Sequence, residues 1–160
     1  MKKRRNLLFI VTLLLSITLI TGCNSSSNNE KQIYGVDETF EYDGLEITIG
    51  SNYTISTINN EYYTDDNGKE EIKLPITIKN ISDDTNSLNS FSYKIYGSAG
   101  TIVESYYTMS DDDLLGAGDL RSGASYTKYL YFIYDGDGEY VMEFDNWPNA
   151  STEVKFNISK

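Results

Sequence analysis

From Ile33 onward, apolar and polar residues alternate with a period of two almost everywhere, and no stretch keeps a helical 3.6-residue spacing for long. Leu45, Ile47 and Ile49 alternate with Glu46 and Thr48, and Tyr53, Ile55 and Thr57 continue the pattern. The strongest strand sets Ile72, Leu74, Ile76 and Ile78 on one face and Lys73, Pro75, Thr77 and Lys79 on the other. Pro75 lacks an amide hydrogen, which predicts an edge position or a bulge there. Further strands are predicted through Phe91, Tyr93 and Ile95, over residues 102–107, and over residues 125–134, which are aromatic on both faces. Either Val141 or the set Tyr140, Met142 and Phe144 buries in the next strand, and Val154, Phe156 and Ile158 close the chain.

Breakers fall between these runs. Asp65-Asp66-Asn67-Gly68 has turn residues that tolerate positive φ, and residues 97–100 and 135–138 read as hairpin connections. One short helical turn is predicted over residues 111–115, with Ser110 as its cap and acidic residues in its first turn. Short strands at this spacing, with no helix to cover a parallel sheet, predict an all-β domain. That means a β-sandwich or a barrel, and the expected architecture is a sandwich of about seven to eight antiparallel strands.

The N-terminus follows different rules. Lys2, Lys3, Arg4 and Arg5 precede an apolar run from Leu7 to Ile20 that is too short for a bilayer-spanning helix and right for a signal peptide. Leu19-Ile20-Thr21-Gly22-Cys23 resembles the lipobox read by the bacterial lipoprotein acyltransferase and signal peptidase II. That resemblance implies cleavage between Gly22 and Cys23 and lipidation of Cys23, whose thiol forms the thioether. Residues 24–31 hold no apolar side chain and read as a flexible tether. The expected organisation is a signal peptide over 1–22, a lipidated tether over 23–32 and a β-sandwich over 33–160. The expected location is the outer side of the cell membrane, held by lipid.

Charge and cysteine content narrow the functions. The first 22 residues contain four of the 13 basic and none of the 24 acidic residues, so their removal takes the formal charge from −11 to −15. Such acidity excludes nucleic acid as a partner and leaves membrane affinity to the acyl chains. Cys23 is the only cysteine, so an exported domain must hold together without disulfides. The absence of histidine removes Ser-His-Asp and Cys-His systems and the usual zinc sites, and no enzyme activity and no cofactor are expected.

Two candidate sites remain. Asp135, Asp137 and Glu139 place oxygen ligands at alternate positions, as a calcium loop begins, with residues 111–113 as a second acidic source. Tyr140 stands where such a loop needs glycine, and a hairpin turn is the simpler reading. The chain also has fourteen tyrosines. With Leu130 and Phe132 facing the core, Tyr129 and Tyr131 point outward as an aromatic strip. Tyr106 and Tyr107, or Tyr62 and Tyr63, extend it as a surface for a protein or a wall polymer. Ordinary cross-strand pairing is the competing explanation.

Four features occur in order: Tyr42-Asp43-Gly44-Leu45, then Ile78-Lys79-Asn80-Ile81-Ser82, then Phe91-Ser92-Tyr93 leading to a turn at Gly100, then Leu120-Arg121-Ser122-Gly123. Together they resemble the telokin-like family of domains of unknown function carried by many Gram-positive lipoproteins. Gly97 stands where an acidic residue often precedes the turn glycine, and Ser122 where proline often precedes Gly123. The resemblance implies an immunoglobulin-like sandwich akin to a mycobacterial secreted immunoprotective antigen, and it carries no catalytic or ligand residues. The expected function is a non-catalytic binding or interaction module on the cell surface. The alternatives are an accessory lipoprotein without a ligand and a calcium-dependent adhesion module.

Overall fold

The computed structural model describes residues 31–59, 64–145 and 150–160. The signal peptide, the Gly22–Cys23 junction, most of the tether, and Tyr62 and Tyr63 lie outside the described residues. Nine strands form two sheets: β1 (Gln32–Tyr34), β2 (Thr39–Tyr42), β3 (Leu45–Ile49), β4 (Thr54–Thr57), β5 (Glu70–Asn80), β6 (Tyr93–Tyr96), β7 (Ser125–Ile133), β8 (Gly138–Phe144) and β9 (Thr152–Ile158). One sheet has the order β1-β9-β8-β6. The other runs β2-β3-β5, with β4 and β7 also paired to β5. All named pairings are antiparallel except β1 with β9. The fold is the β-sandwich that the alternation predicts. Gln32, assigned to the tether from sequence, is already the first residue of β1 and pairs with Thr152.

The core lies between the sheets. Ile72, Leu74, Ile76 and Ile78 of β5 are completely buried, as are Leu130 and Phe132 of β7 and Tyr140, Met142 and Phe144 of β8. Burying each such side chain contributes about 2 kcal/mol, so the four β5 residues anchor the larger sheet. Aromatic rings bind the sheets at one end, where Phe144 packs 5.0 Å from Phe40 and 5.3 Å from Tyr42, centroid to centroid.

Several local expectations change. β5 is a central strand, not an edge: β7 pairs along one side, while β3 and then β4 occupy the other. Pro75 lies between the segments paired to β3 and β4, where no strand requires its missing donor, and its carbonyl accepts from Gly50 N–H at 2.8 Å. Residues 102–107 form no strand. They touch β6 through Ile102–Tyr96 and then cross to the other sheet, where Ser105 bridges Phe132. Residues 111–115 form turns rather than a helical turn. Residues 135–138 join β7 to β8 in the opposite sheet, so they cross between layers instead of closing a hairpin. Phe91 sits in a 3-10 turn before β6 and is 92% exposed.

At the end of β5, Asn80 is completely buried. Its Nδ2 donates to the carbonyls of Asp84 (2.7 Å) and Leu120 (2.8 Å), and its Oδ1 accepts from Ser82 N–H (2.9 Å) and Oγ–H (2.7 Å). Its backbone N–H donates to Ala124 O and its carbonyl accepts from Gly123 N–H, both at 2.9 Å. Removing the side chain breaks four hydrogen bonds, the buried one to the Leu120 carbonyl among them. Asn80→Ala is expected to destabilise the domain by about 3 kcal/mol, read as a lower urea midpoint. An unchanged midpoint would show that the junction tolerates its loss.

Candidate functional site

The alternation that buries Leu130 and Phe132 turns Tyr129 and Tyr131 to the outer face of the larger sheet, opposite Pro75 and Lys73. Lys73 joins the two rings: its Nζ lies 4.0 Å from the Tyr129 centroid and 5.4 Å from that of Tyr131. The same ammonium pairs with Asp112 at 2.8 Å, and Tyr131 donates to Asp112 at 3.1 Å. Tyr131 is only 7% exposed although it points away from the core. It is part of a cluster and not an open stacking platform.

The cover comes from residues 104–114, which run along the outer edge of β7. Ile133 N–H donates to Glu104 O, Tyr106 N–H to Tyr131 O, Tyr129 N–H to Asp112 O and Leu114 N–H to Tyr129 O. This occupies a sheet edge that would otherwise offer unpaired backbone groups. Tyr106 joins the cluster by donating to Glu71, which also accepts from Ser56. Tyr107 turns elsewhere and packs over Gly116, where an added Cβ would meet its ring at 2.6 Å. The structure therefore gathers Tyr129 and Tyr131 around Lys73, ties Tyr106 to Glu71 and to the Tyr131 backbone beside them, and leaves Tyr107 apart.

Asp113 shapes the covering loop. It is 1% exposed, and its carboxylate accepts from Thr108 N–H (2.6 Å), Thr108 Oγ–H (2.8 Å) and Leu115 N–H (2.8 Å). Between Thr108 and these contacts the backbone of Met109 adopts φ 61°, a left-handed conformation that costs a side-chain-bearing residue about 1 kcal/mol. Met109 is nevertheless 55% exposed and Tyr107 38%. Sequence reasoning took residues 111–113 for a helix start. Asp112 and Asp113 instead serve two purposes, one holding Lys73 and the other the loop.

The carboxylates proposed for calcium diverge. Asp135 accepts from Ser98 N–H (2.9 Å) and Oγ–H (3.1 Å), and Asp137 accepts from Tyr134 Oη–H (2.6 Å) and Lys160 N–H (3.0 Å). Glu139 lies 3.8 Å from Lys155. No group of three acidic side chains able to hold a metal occurs among the described residues. The alternate spacing that suggested a ligand loop distributes these groups to different partners instead. An open depression of about 570 Å³ lies elsewhere, between the edges of β1 and β2, and Glu41 and Glu46 line it beside Tyr34 and Phe40.

The family described as domain of unknown function DUF4352 matches residues 34–155. The chain belongs to this family. No curated protein matches it. Among solved structures, the yjhA protein of Bacillus subtilis is similar with a TM-score of 0.60 at 19% identity, covering 76% of this chain and 98% of that one. The ycdA protein of the same species, described as a candidate lipoprotein, gives 0.56 at 16% identity. That match covers 74% of this chain and 38% of ycdA, so this chain corresponds to well under half of that protein. A β-sandwich protein of Clostridium difficile gives 0.52 at 14% identity, covering 79% and 95%. At these identities the likeness is one of fold.

The four ordered sequence features acquire a structural meaning here. Asp43 and Gly44 have positive φ, and their turn sits against Ser82 and Asn86; a Cβ on Gly44 would lie 3.0 Å from that of Ser82. Asn86 Nδ2 donates to Asp43 O at 2.6 Å, and Gly123 N–H reaches Asn80 O. Three of the four sequence features thus meet at one junction. Gly97 is explained as well, because the Asp135 carboxylate occupies the space of its absent side chain.

In the tyrosine cluster, the hydrogen bonds from Lys73 and then Ser110 pull the Asp112 carboxyl down from its ordinary 3.8 to about 2, and Lys73 is raised in return. Because the folded value is lowered, the pair's contribution is present above the ordinary carboxylate range and is lost as pH falls toward 2. In Lys73→Met the Asp112 titration midpoint, followed by carboxyl carbon NMR shifts, is expected to rise from about 2 toward 3.8. An unmoved midpoint would remove Lys73 as the cause.

Proposed function

We propose that this DUF4352 chain is a lipid-anchored, non-catalytic interaction module outside the cell, and that it meets its partner through the loop over residues 104–114. The observation that carries the reading is Met109. It is an exposed apolar residue in a strained left-handed conformation, fixed by the buried carboxylate of Asp113. Strain retained on a rigid, exposed loop is a recurring mark of a contact point, and a polarizable methionine suits an adaptable surface. Tyr107 extends the surface beside it. The rings of Tyr129 and Tyr131 support the loop from below, which favours an accessory role for the strip that the sequence suggested as the contact itself. A surface protein or a wall polymer is the partner class that fits an exported acidic domain.

The anchor rests on the lipobox at Leu19–Cys23 and on the lipoprotein description of ycdA. Cys23→Ala is expected to move the protein from the membrane fraction to the medium or wall fraction with its melting temperature unchanged. Continued membrane retention would overturn the anchor. For the contact loop, a photo-crosslinking residue at Met109 should give a defined adduct in intact cells, and one at Glu41 should not. Adding Asp113→Ala, which frees the loop, should reduce the adduct severalfold. The same adducts from positions 109 and 41 would reject the loop as the contact.

A further inference from the structure

We propose that the end of the sandwich bearing Phe91 docks on the bilayer that holds the lipid of Cys23, with the Phe91 ring in the interfacial layer; this rests on the lipid anchor proposed above. Strand register places the two features together. Gln32 pairs with Thr152, Thr152 with Phe144, and Phe144 with Tyr93, so one row crosses the four-stranded sheet from the root of the tether to the start of β6. β1 and β6 both run away from this row, so the chain before Gln32 and the turn before Tyr93 leave from the same end. Three strand spacings separate them, roughly 14 Å. The tether that the sequence predicts between Cys23 and Gln32 has an expected reach of roughly 15 Å. Its root is pinned, since Lys31 pairs with Glu153 at 2.5 Å and with Glu143 at 3.7 Å. The lipid therefore holds this end within reach of the surface.

Phe91 is presented there by a rigid turn. Its N–H donates to Asn89 Oδ1 (2.9 Å), Ser92 N–H to Asn89 O (2.9 Å), and Asp145 N–H to Ser92 O (3.0 Å), yet the side chain is 92% exposed. Ile81, beyond the end of β5 and 39% exposed, lies at the same end, as does Ile33 of β1 at 56%. A single ring is a weak membrane ligand in solution. Tethering makes its insertion intramolecular at a high effective concentration, so little further gain is needed. Asp43, Asp83, Asp84 and Asp145 share this end, which makes a zwitterionic surface the fitting one and an anionic surface repulsive.

The test uses the acylated protein in phosphatidylcholine vesicles carrying a quencher on the lipid chains. With Cys23 occupied by lipid, Ser90→Cys and Ala99→Cys each supply one free thiol for a polarity-sensitive fluorophore, the first beside Phe91 and the second in the turn after β6. The label at 90 is expected to be quenched at least threefold more than that at 99, and to lose that excess when Phe91→Ser is added. Equal quenching at the two positions, or quenching at 90 that survives Phe91→Ser, would overturn the docking. The mass of the acyl group is measured on the same sample. A chain lacking it would overturn the anchor, and the docking with it, which separates that failure from one in which the lipid is present and the ring stays in water.

Discussion

The central strand β5 must end somewhere, and at its last residue the chain has to leave two layers at once without stranding buried backbone groups. Asn80 meets that constraint. Its amide provides two donors and one oxygen that accepts twice, and all are satisfied by the loop after β5 and the Leu120 segment, which a single antiparallel bridge at Asn86 also joins. Around it the β2–β3 turn, the loop after β5 and the turn before β7 are fixed relative to one another. An apolar residue of similar size would fill the space and satisfy none of these groups, so the position is tied to one chemistry. The first described residues of the chain and the Phe91 turn lie at this same end, each held by contacts of its own.

The same device recurs elsewhere in the domain. Asp113 gathers Thr108 and Leu115 under the loop on the outer face, and Asp135 gathers the Ser98 turn against the β7–β8 crossover. Tyr140, completely buried, completes the crossover by accepting from Asp135 N–H and donating to Gly136 O. The chain has one cysteine, so no disulfide can form within it, and these loops are held by short polar side chains instead. These carboxylates turn to different partners, so the acidic spacing at 135–139 builds no cluster of three among the described residues.

The layers were legible in the sequence because burial imposes a period of two on every strand, and the four apolar residues of β5 and the pair Leu130 and Phe132 follow it without interruption. The outward direction of Tyr129 and Tyr131 comes from the same parity. Their cover does not, because it depends on Asp112 meeting Lys73 across 39 positions of sequence, a distance at which periodicity carries no information. Pro75 misled for a related reason. Its missing donor constrains only the neighbour on one side, and the sequence does not say that β3 and β4 leave a gap there. Phe91 is in step with Tyr93 and Ile95 in the sequence, but Asn89 captures its N–H in a 3-10 turn and the strand starts only at Tyr93.

Rigid exposure separates the two apolar residues that matter most from the ordinary apolar surface of a soluble domain. Scattered exposed side chains are common and cost little when the backbone that bears them is free to fold them back. Phe91 and Met109 have no such freedom, because three hydrogen bonds fix the turn of the first and a buried carboxylate fixes the loop of the second. They also face different directions: Phe91 projects from the end where the tether begins, and Met109 lies on a loop along the side of the larger sheet. The lipid anchor proposed for Cys23 would bring the end near Lys31, where the described chain begins, to the bilayer. On that proposal the side loop would face along the membrane or away from it, where a second partner could approach without competing for the lipid surface.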